Sequence, residues 1–291
     1  MVAVDRGRYT VMLDGAPITA MRARELGRKS VVVGDRVDVV GDVSGATGSL
    51  ARIVRINERV STLRRSADDE DTSERVVVAN ADQLVIVTAL ADPPPRTGFI
   101  DRCLVAAYDT DIDPLLCMTK GDLAGPEKLL RYYSDLDLSF VVCRPDADLD
   151  ELVARLTDRM SVLVGHSGVG KSTLVNRLVP GAHRAVGVVS GIGKGRHTST
   201  SVVALPFPGG GWLIDTPGIR SFGLAHVSPQ SLLHGFADLV EGTLDCPPNC
   251  DHTESAPDCA LGPWVEAGNA SPGRLASYRR LLASRAGTLE D

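Results

Sequence analysis

Residues 165–172 read Gly165-His166-Ser167-Gly168-Val169-Gly170-Lys171-Ser172, and Thr173 follows. This satisfies G-x-x-x-x-G-K-[ST], a pattern whose parts divide one chemical task. The glycines let successive backbone N–H groups turn inward around a β-phosphate. Lys171 brings a point charge to the β and γ oxygens, and Ser172 offers a hydroxyl to Mg²⁺. An apolar run, SVLV, precedes the loop and a helical pattern, KSTLVNRL, follows it. The helix adds its positive end to the anion site. A Gly-rich connector lacks this pairing of flanks, so the segment predicts triphosphate binding.

Two further motifs fit the same ligand. Asp215-Thr216-Pro217-Gly218 follows the apolar run WLID. An Asp there holds Mg²⁺ through a water, and Gly218 offers its N–H to the γ-phosphate. Alone, D-x-x-G is a common turn; at the end of a strand downstream of a phosphate loop it gains weight. Thr119-Lys120-Gly121-Asp122 follows LLCM and matches N-K-x-D except for Thr at the first position. A carboxylate at Asp122 accepts from both N1–H and N2–H₂ of guanine. Adenine offers neither donor and would strand it, a loss of about 10²-fold or more. The stem of Lys120 lies along the base plane. Guanine is therefore expected over adenine.

Near the C-terminal end, Cys246, Cys250, His252 and Cys259 fall within 14 residues. Three thiolates and an imidazole make a closed tetrahedral set for structural zinc, one ion per chain, with no open position for catalysis. Cys103, Cys117 and Cys143 lie among apolar residues and read as reduced core cysteines.

The elements that must position these groups follow from the pattern of the rest. Residues 1–65 carry short alternating runs and the hairpin pair Asp14-Gly15, which suits a small OB-type β-barrel. Strands are expected at residues 8–13, 30–33, 36–40, 50–56 and 60–63. Residues 66–75, SADDEDTSER, have no apolar periodicity and read as a linker. From residue 76 to 225, buried strands alternate with helices in a doubly wound α/β layout. After Phe222 the strand signals stop; residues 229–242 and 274–286 read as helical, and 226–291 as a helical zinc-binding domain. The expected fold class is multidomain α+β.

Aromatic residues make up only 4% of the chain, so the core must rest on Val, Leu, Ile and Ala. No signal-like or membrane-spanning run appears, which predicts a cytoplasmic protein with no membrane partner. The formal net charge of −6 argues against simple polyanion binding by the whole chain. Residues 1–65, however, hold 12 Lys/Arg against 7 Asp/Glu. That local excess suits a nucleic-acid contact as well as a solvated surface. Arg22, Arg24, Arg28, Lys29, Arg52, Arg55, Arg59, Arg64 and Arg65 are candidates for phosphate contact. Tyr9 is the one aromatic in this stretch, so recognition by shape and phosphates is expected rather than base stacking. Arg274, Arg279, Arg280 and Arg285 offer a second basic face, equally readable as a solvated helix.

In ordinary small GTPases the phosphate loop comes first and the base-reading motif last. Here TKGD precedes the phosphate loop and DTPG follows it, the order of a circular permutation. With a barrel-like start and a Cys/His cluster at the end, the whole chain resembles the RsgA/YjeQ family of ribosome small-subunit GTPases. The resemblance implies an OB barrel, a circularly permuted P-loop GTPase domain and a C-terminal zinc domain. It also implies GTP hydrolysis to GDP stimulated by the small ribosomal subunit and its rRNA, in late maturation, by a monomer using Mg²⁺ with GTP. Residues 195–200, GRHTST, resemble the family's first switch, one of whose threonines completes the Mg²⁺ shell. Thr119 stands where Asn is usual, Cys143-Arg144-Pro145 where a Ser-Ala type pair is usual, and each gap in the cysteine cluster is shifted by one. Ile219 takes the place of the Gln that orients water in Ras-like enzymes, so intrinsic hydrolysis should be slow and His197 becomes the candidate for that role. The alternative is a GTP-regulated RNA-binding scaffold with negligible turnover off the ribosome.

Overall fold

The structure is a computed structural model. It describes residues 1–5, 7–27, 30–68, 71–182, 202–216, 222, 224 and 226–285, with side chains 66–68, 71–74 and 285 excepted. His197, the rest of 195–200, Gly218, Ile219, Arg28 and Lys29 lie outside the described residues.

The first five strands are β1 (Ala3–Asp5), β2 (Arg8–Leu13), β3 (Ala16–Arg22), β4 (Val37–Gly41) and β5 (Ala51–Ile56). They run in the order β1-β2-β3-β5-β4, that of a partly open OB-type barrel. Asp14 and Gly15, both with positive φ, close the first hairpin as their types demand. A separate small core of Tyr9, Val11, Ile18, Ala20, Val31, Ala51 and Ile53 fills it. The expected strand at 30–33 is instead an isolated bridge, Val33 to Val78. Gly34 is packed so that a Cβ there would sit 1.9 Å from the Ala79 carbonyl oxygen, which fixes where the barrel meets the next segment.

The charged stretch 66–75 is not a free linker. Strands β6 (Thr62–Asp68) and β7 (Asp71–Ala79) pair antiparallel through it. Leu63 and Val78 are buried at the root of this hairpin, and the backbone ladder carries the polar remainder.

The α/β part contains β8 (Gln83–Ala89), α1 (Thr97–Asp109), β9 (Asp113–Thr119), α2 (Glu127–Tyr132), β10 (Ser139–Val142) and α3 (Asp150–Leu156). It continues with β11 (Arg159–Val164), α4 (Lys171–Leu178), β12 (Val203–Pro206) and β13 (Gly211–Asp215). Strands β10-β9-β8-β11-β13 are parallel, and β12 runs antiparallel to β13. Every residue of β8 is buried, as its unbroken apolar run requires. On the far side of β12, β1 adds antiparallel with Ala3 opposite Val203, so barrel and α/β sheet share one ladder among the described residues.

Residues 229–245 are short turns of helix rather than the single helix expected: α5 (Pro229–Leu232), α6 (Ala237–Val240) and two 3-10 turns. A capping box at Ser228 and Ser231 starts the first. Then come α7 (Leu261–Glu266) and α8 (Pro272–Arg285). Helix α8 packs along α1. Arg280 Nε donates to the buried Asp101 Oδ2 at 3.1 Å, and Arg102 donates to the Ser284 and Phe222 carbonyls, each at 3.1 Å. No helix among the described residues is long and apolar enough to cross a membrane.

The second basic face is therefore mostly spent inside the fold. Arg274 pairs with Asp238, donates to the Asp135 and Gly235 carbonyls, and stacks over the Phe236 ring. Arg279 donates to the His252 carbonyl. In the barrel, Arg59 is likewise structural, bound by two hydrogen bonds to the buried Asp35.

Candidate functional site

The parallel strands end on one edge, where the loops after β8, β9, β10 and β11 meet the end of β13. That is where open α/β sheets place ligands. The phosphate loop 165–170 joins β11 to α4, and its geometry explains its glycines. A Cβ at Gly165 would lie 2.5 Å from the Val87 carbonyl oxygen, while Gly168 and Gly170 have φ of +83° and +90°. Val169 is buried and anchors the loop; Ser167, Gly168, Ser172 and Thr173 are exposed around it. The His166 ring packs on Phe99 of α1, with centroids 4.1 Å apart.

Strand β13 lies beside β11 with Asp215 opposite Leu163. This register brings Asp215 to the phosphate loop, and Lys171 Nζ donates to Asp215 Oδ1 at 2.5 Å. Thr216, buried, fixes the strand end by donating to the Leu163 carbonyl at 2.6 Å. An ammonium and a carboxylate thus stand side by side at the start of α4, matched to the oxygens of a phosphate and to the cation that accompanies it.

The TKGD segment reaches the same loop from the end of β9. Thr119 Oγ1, buried, lies 2.5 Å from the Val169 carbonyl and 3.2 Å from that of Thr88. Lys120 has positive φ and its ammonium donates to the Asp92 carbonyl. The neighbouring Pro93 touches the space over Gly168, so the 91–95 loop walls the site. Gly121 N donates to the Cys143 carbonyl at 3.1 Å, and Cys143 N to the Met118 carbonyl at 2.7 Å. A side chain at Gly121 would strike Val142 Cγ1 at 2.7 Å, so the loop at 143–145 packs directly on TKGD. From α4, Arg177 donates to the Arg144 and Ala147 carbonyls and holds that loop to the phosphate-loop helix. Asp122 is exposed at the rim. Sequence reading missed Arg177, whose only signal was a basic residue on the polar face of α4.

The predicted metal ligands converge as a second centre. One ligand atom each from Cys246, Cys250, His252 and Cys259 all lie within 4.8 Å of one another. His252 Nδ1 is 3.5 Å from Cys246 Sγ and 3.8 Å from Cys259 Sγ. A tetrahedral zinc with ordinary Zn–S and Zn–N bonds needs sulfur and nitrogen about 3.5 Å apart, so the donor set fits the ion. Burial lowers the His252 pKa, which favours the neutral imidazole a metal requires. Ala260 N donates to Cys246 Sγ at 3.3 Å, supporting the sulfur as an outer-shell partner does. Gly242 lies under Trp264, where a Cβ would be 2.5 Å from Cγ of the ring, and this closes the base of the loop.

Known proteins resemble this chain over most of its length. The RsgA GTPase family model matches residues 56–225. A relative from Chlorobaculum parvum named small ribosomal subunit biogenesis GTPase RsgA is 38% identical over 271 residues, covering 89% of this chain and 86% of its own. One of the same name from Azotobacter vinelandii is 41% identical over 265 residues, covering 88% and 75%. The crystal structure of YjeQ from Thermotoga maritima superposes with a TM-score of 0.68 at 26% identity, over 98% of this chain and 97% of that one. YloQ, described as a circularly permuted GTPase, superposes at 0.66 and 23% identity over 100% and 95%, a likeness of fold. The chain belongs to the RsgA GTPase family.

Proposed function

We propose that this chain hydrolyses GTP to GDP and phosphate while bound to the small ribosomal subunit, in the late maturation of that particle. The observation that carries the reading is the junction at the strand ends: a base-reading segment from early in the chain is bonded to the phosphate loop that follows it. The names of the relatives supply the particle.

In this reading the backbone of 165–170 wraps the β-phosphate, with His166, Ser167 and Val169 supplying amides between the glycines. Thr173 stands at the rim. Lys171 leaves Asp215 for the β and γ oxygens. Ser172 and Asp215 would hold the Mg²⁺ that accompanies GTP, and Gly218 would donate to the γ-phosphate. The chemistry such an ion would supply when bound is stabilisation of the charge that develops in the transition state. Asp122 accepts from the guanine edge, and the Lys120 stem covers the base. His197 would orient the attacking water on the ribosome, since Ile219 has no polar group.

The barrel contacts rRNA through exposed Arg24, Arg52 and Arg55, joined by Arg65 of the β6–β7 hairpin, and with the zinc-stapled segment 226–291 the chain acts as a three-part, monomeric, cytoplasmic protein. Turnover of GTP measured with and without purified small subunits tests the reading. Strong stimulation supports it; equal, negligible rates favour a scaffold. Single-turnover hydrolysis by His197→Ala on the subunit tests the water-positioning role, and an unchanged rate removes it.

A further inference from the structure

Cys117 and Cys143 stand with their sulfurs 3.7 Å apart, on the ends of β9 and β10 that carry the two base-reading loops. Both are buried, at 0% and 5% exposure. Their surroundings differ. Cys117 lies on β9, flanked by β8 and β10 on either side. Cys143 is just past the last residue of β10, an edge strand, and lines a surface cavity of about 250 Å³ formed with Arg144, Ala147, Asp148 and Glu151. One thiol is therefore enclosed by strands on both sides, and the other borders a cavity that gives an approach from solvent.

We propose that Cys117 and Cys143 are a peroxide-responsive thiol pair whose disulfide weakens guanine-nucleotide binding. This rests on the reading of 119–122 and 143–145 as the base-reading loops. Cys143 reacts first. The hydrogen bond from Cys117 lowers its pKa, against the opposing effect of burial, and the nearby Arg177 charge adds to the lowering. The Cys143 thiolate attacks one oxygen of hydrogen peroxide, the O–O bond breaks, and hydroxide leaves as water with the thiol proton. The resulting sulfenic acid is attacked by Cys117. The S–S bond forms, the S–O bond breaks, and hydroxide departs as a second water with the Cys117 proton. Two thiols and one peroxide thus give one disulfide and two waters.

The consequence follows from distance. A disulfide needs sulfurs about 2.0 Å apart, so the pair must close by about 1.7 Å. Cys143, past the end of an edge strand, has a strand neighbour on one side only, so the closure displaces it more than Cys117. The Cys143 carbonyl accepts the Gly121 N–H, and Gly121 has no slack against Val142, so displacement is passed to the peptide between Lys120 and Asp122.

The test uses the full-length, zinc-loaded protein. Fluorescent mant-GDP is titrated into reduced protein, into protein treated with hydrogen peroxide, and after dithiothreitol. Linked peptides are sequenced under non-reducing conditions, and zinc content is measured throughout. The expected result is a Cys117–Cys143 cross-link at unchanged zinc content, affinity at least about tenfold weaker, and recovery on reduction. Cys117→Ala and Cys143→Ala should each lose the peroxide response. Absence of the cross-link in the parent protein overturns the inference, as does a cross-link with unchanged affinity. A Cys117→Ala response equal to the parent's overturns it too. If the reduced parent does not bind mant-GDP, the proposed function itself fails, a result separate from failure of the thiol pair.

Discussion

Thr119 Oγ1 lies 2.5 Å from the carbonyl oxygen of Val169, and this one bond ties the base-reading end of β9 to the phosphate loop. A hydroxyl has a single proton to give, and the Thr88 carbonyl at 3.2 Å competes for it. Removing it in Thr119→Ala leaves a buried carbonyl unpaired, at a cost of about 1–3 kcal/mol. Binding of mant-GDP should weaken by about tenfold. Thr119→Asn, with two N–H donors, should equal or exceed the parent in the same titration.

Asp122 is the proposed discriminator of guanine. Asp122→Asn should lower GTP affinity by about 10²-fold and raise that for xanthosine triphosphate, because an amide can donate to the carbonyl that xanthine carries. Competition titration with the two nucleotides measures the reversal. A variant that binds GTP as tightly as the parent would show that Asp122 does not read the base.

The cysteine–histidine centre should hold one zinc per chain, measurable by elemental analysis. Removal by a strong chelator should release amide protection across 246–260 in hydrogen-exchange mass spectrometry, since binding energy at such sites is folding energy. The parallel strands, which contribute no ligand to the metal, should keep theirs.

Two arginines should behave in opposite ways. Arg274→Ala leaves Asp238 and two carbonyls without their donor, and should lower stability by about 3 kcal/mol in urea unfolding. Arg52→Ala, exposed on β5, should leave stability within about 0.5 kcal/mol. It should reduce the salt dependence of binding to 16S-type rRNA by about one unit of slope if Arg52 contacts a phosphate.

The parts legible in the sequence were those whose chemistry is written in contiguous residues. The helix after the phosphate loop runs over Lys171–Leu178, as its flanks indicated, and the apolar run Gln83–Ala89 is the buried strand expected. Cys246, Cys250, His252 and Cys259 meet because their spacing is short. What escaped was decided by tertiary partners. The 66–75 segment has no apolar alternation, and its strand state comes from the ladder rooted at Leu63 and Val78. Arg274 and Arg280 looked like surface charge because Asp238 and Asp101, their partners, lie 36 and 179 residues away. The proximity of Cys117 to Cys143 depends on the register of two parallel strands, which no local pattern specifies.

The pairing of Ala3 with Val203 gives the barrel a fixed bearing on the nucleotide domain. Strand β12 also pairs with β13, Val203 standing opposite Asp215, so the barrel and the strand end beside the phosphate loop are stitched to the same β-ladder. A load on the barrel is passed through backbone hydrogen bonds to the strand that ends at Asp215, as a jig sets the tool against the work.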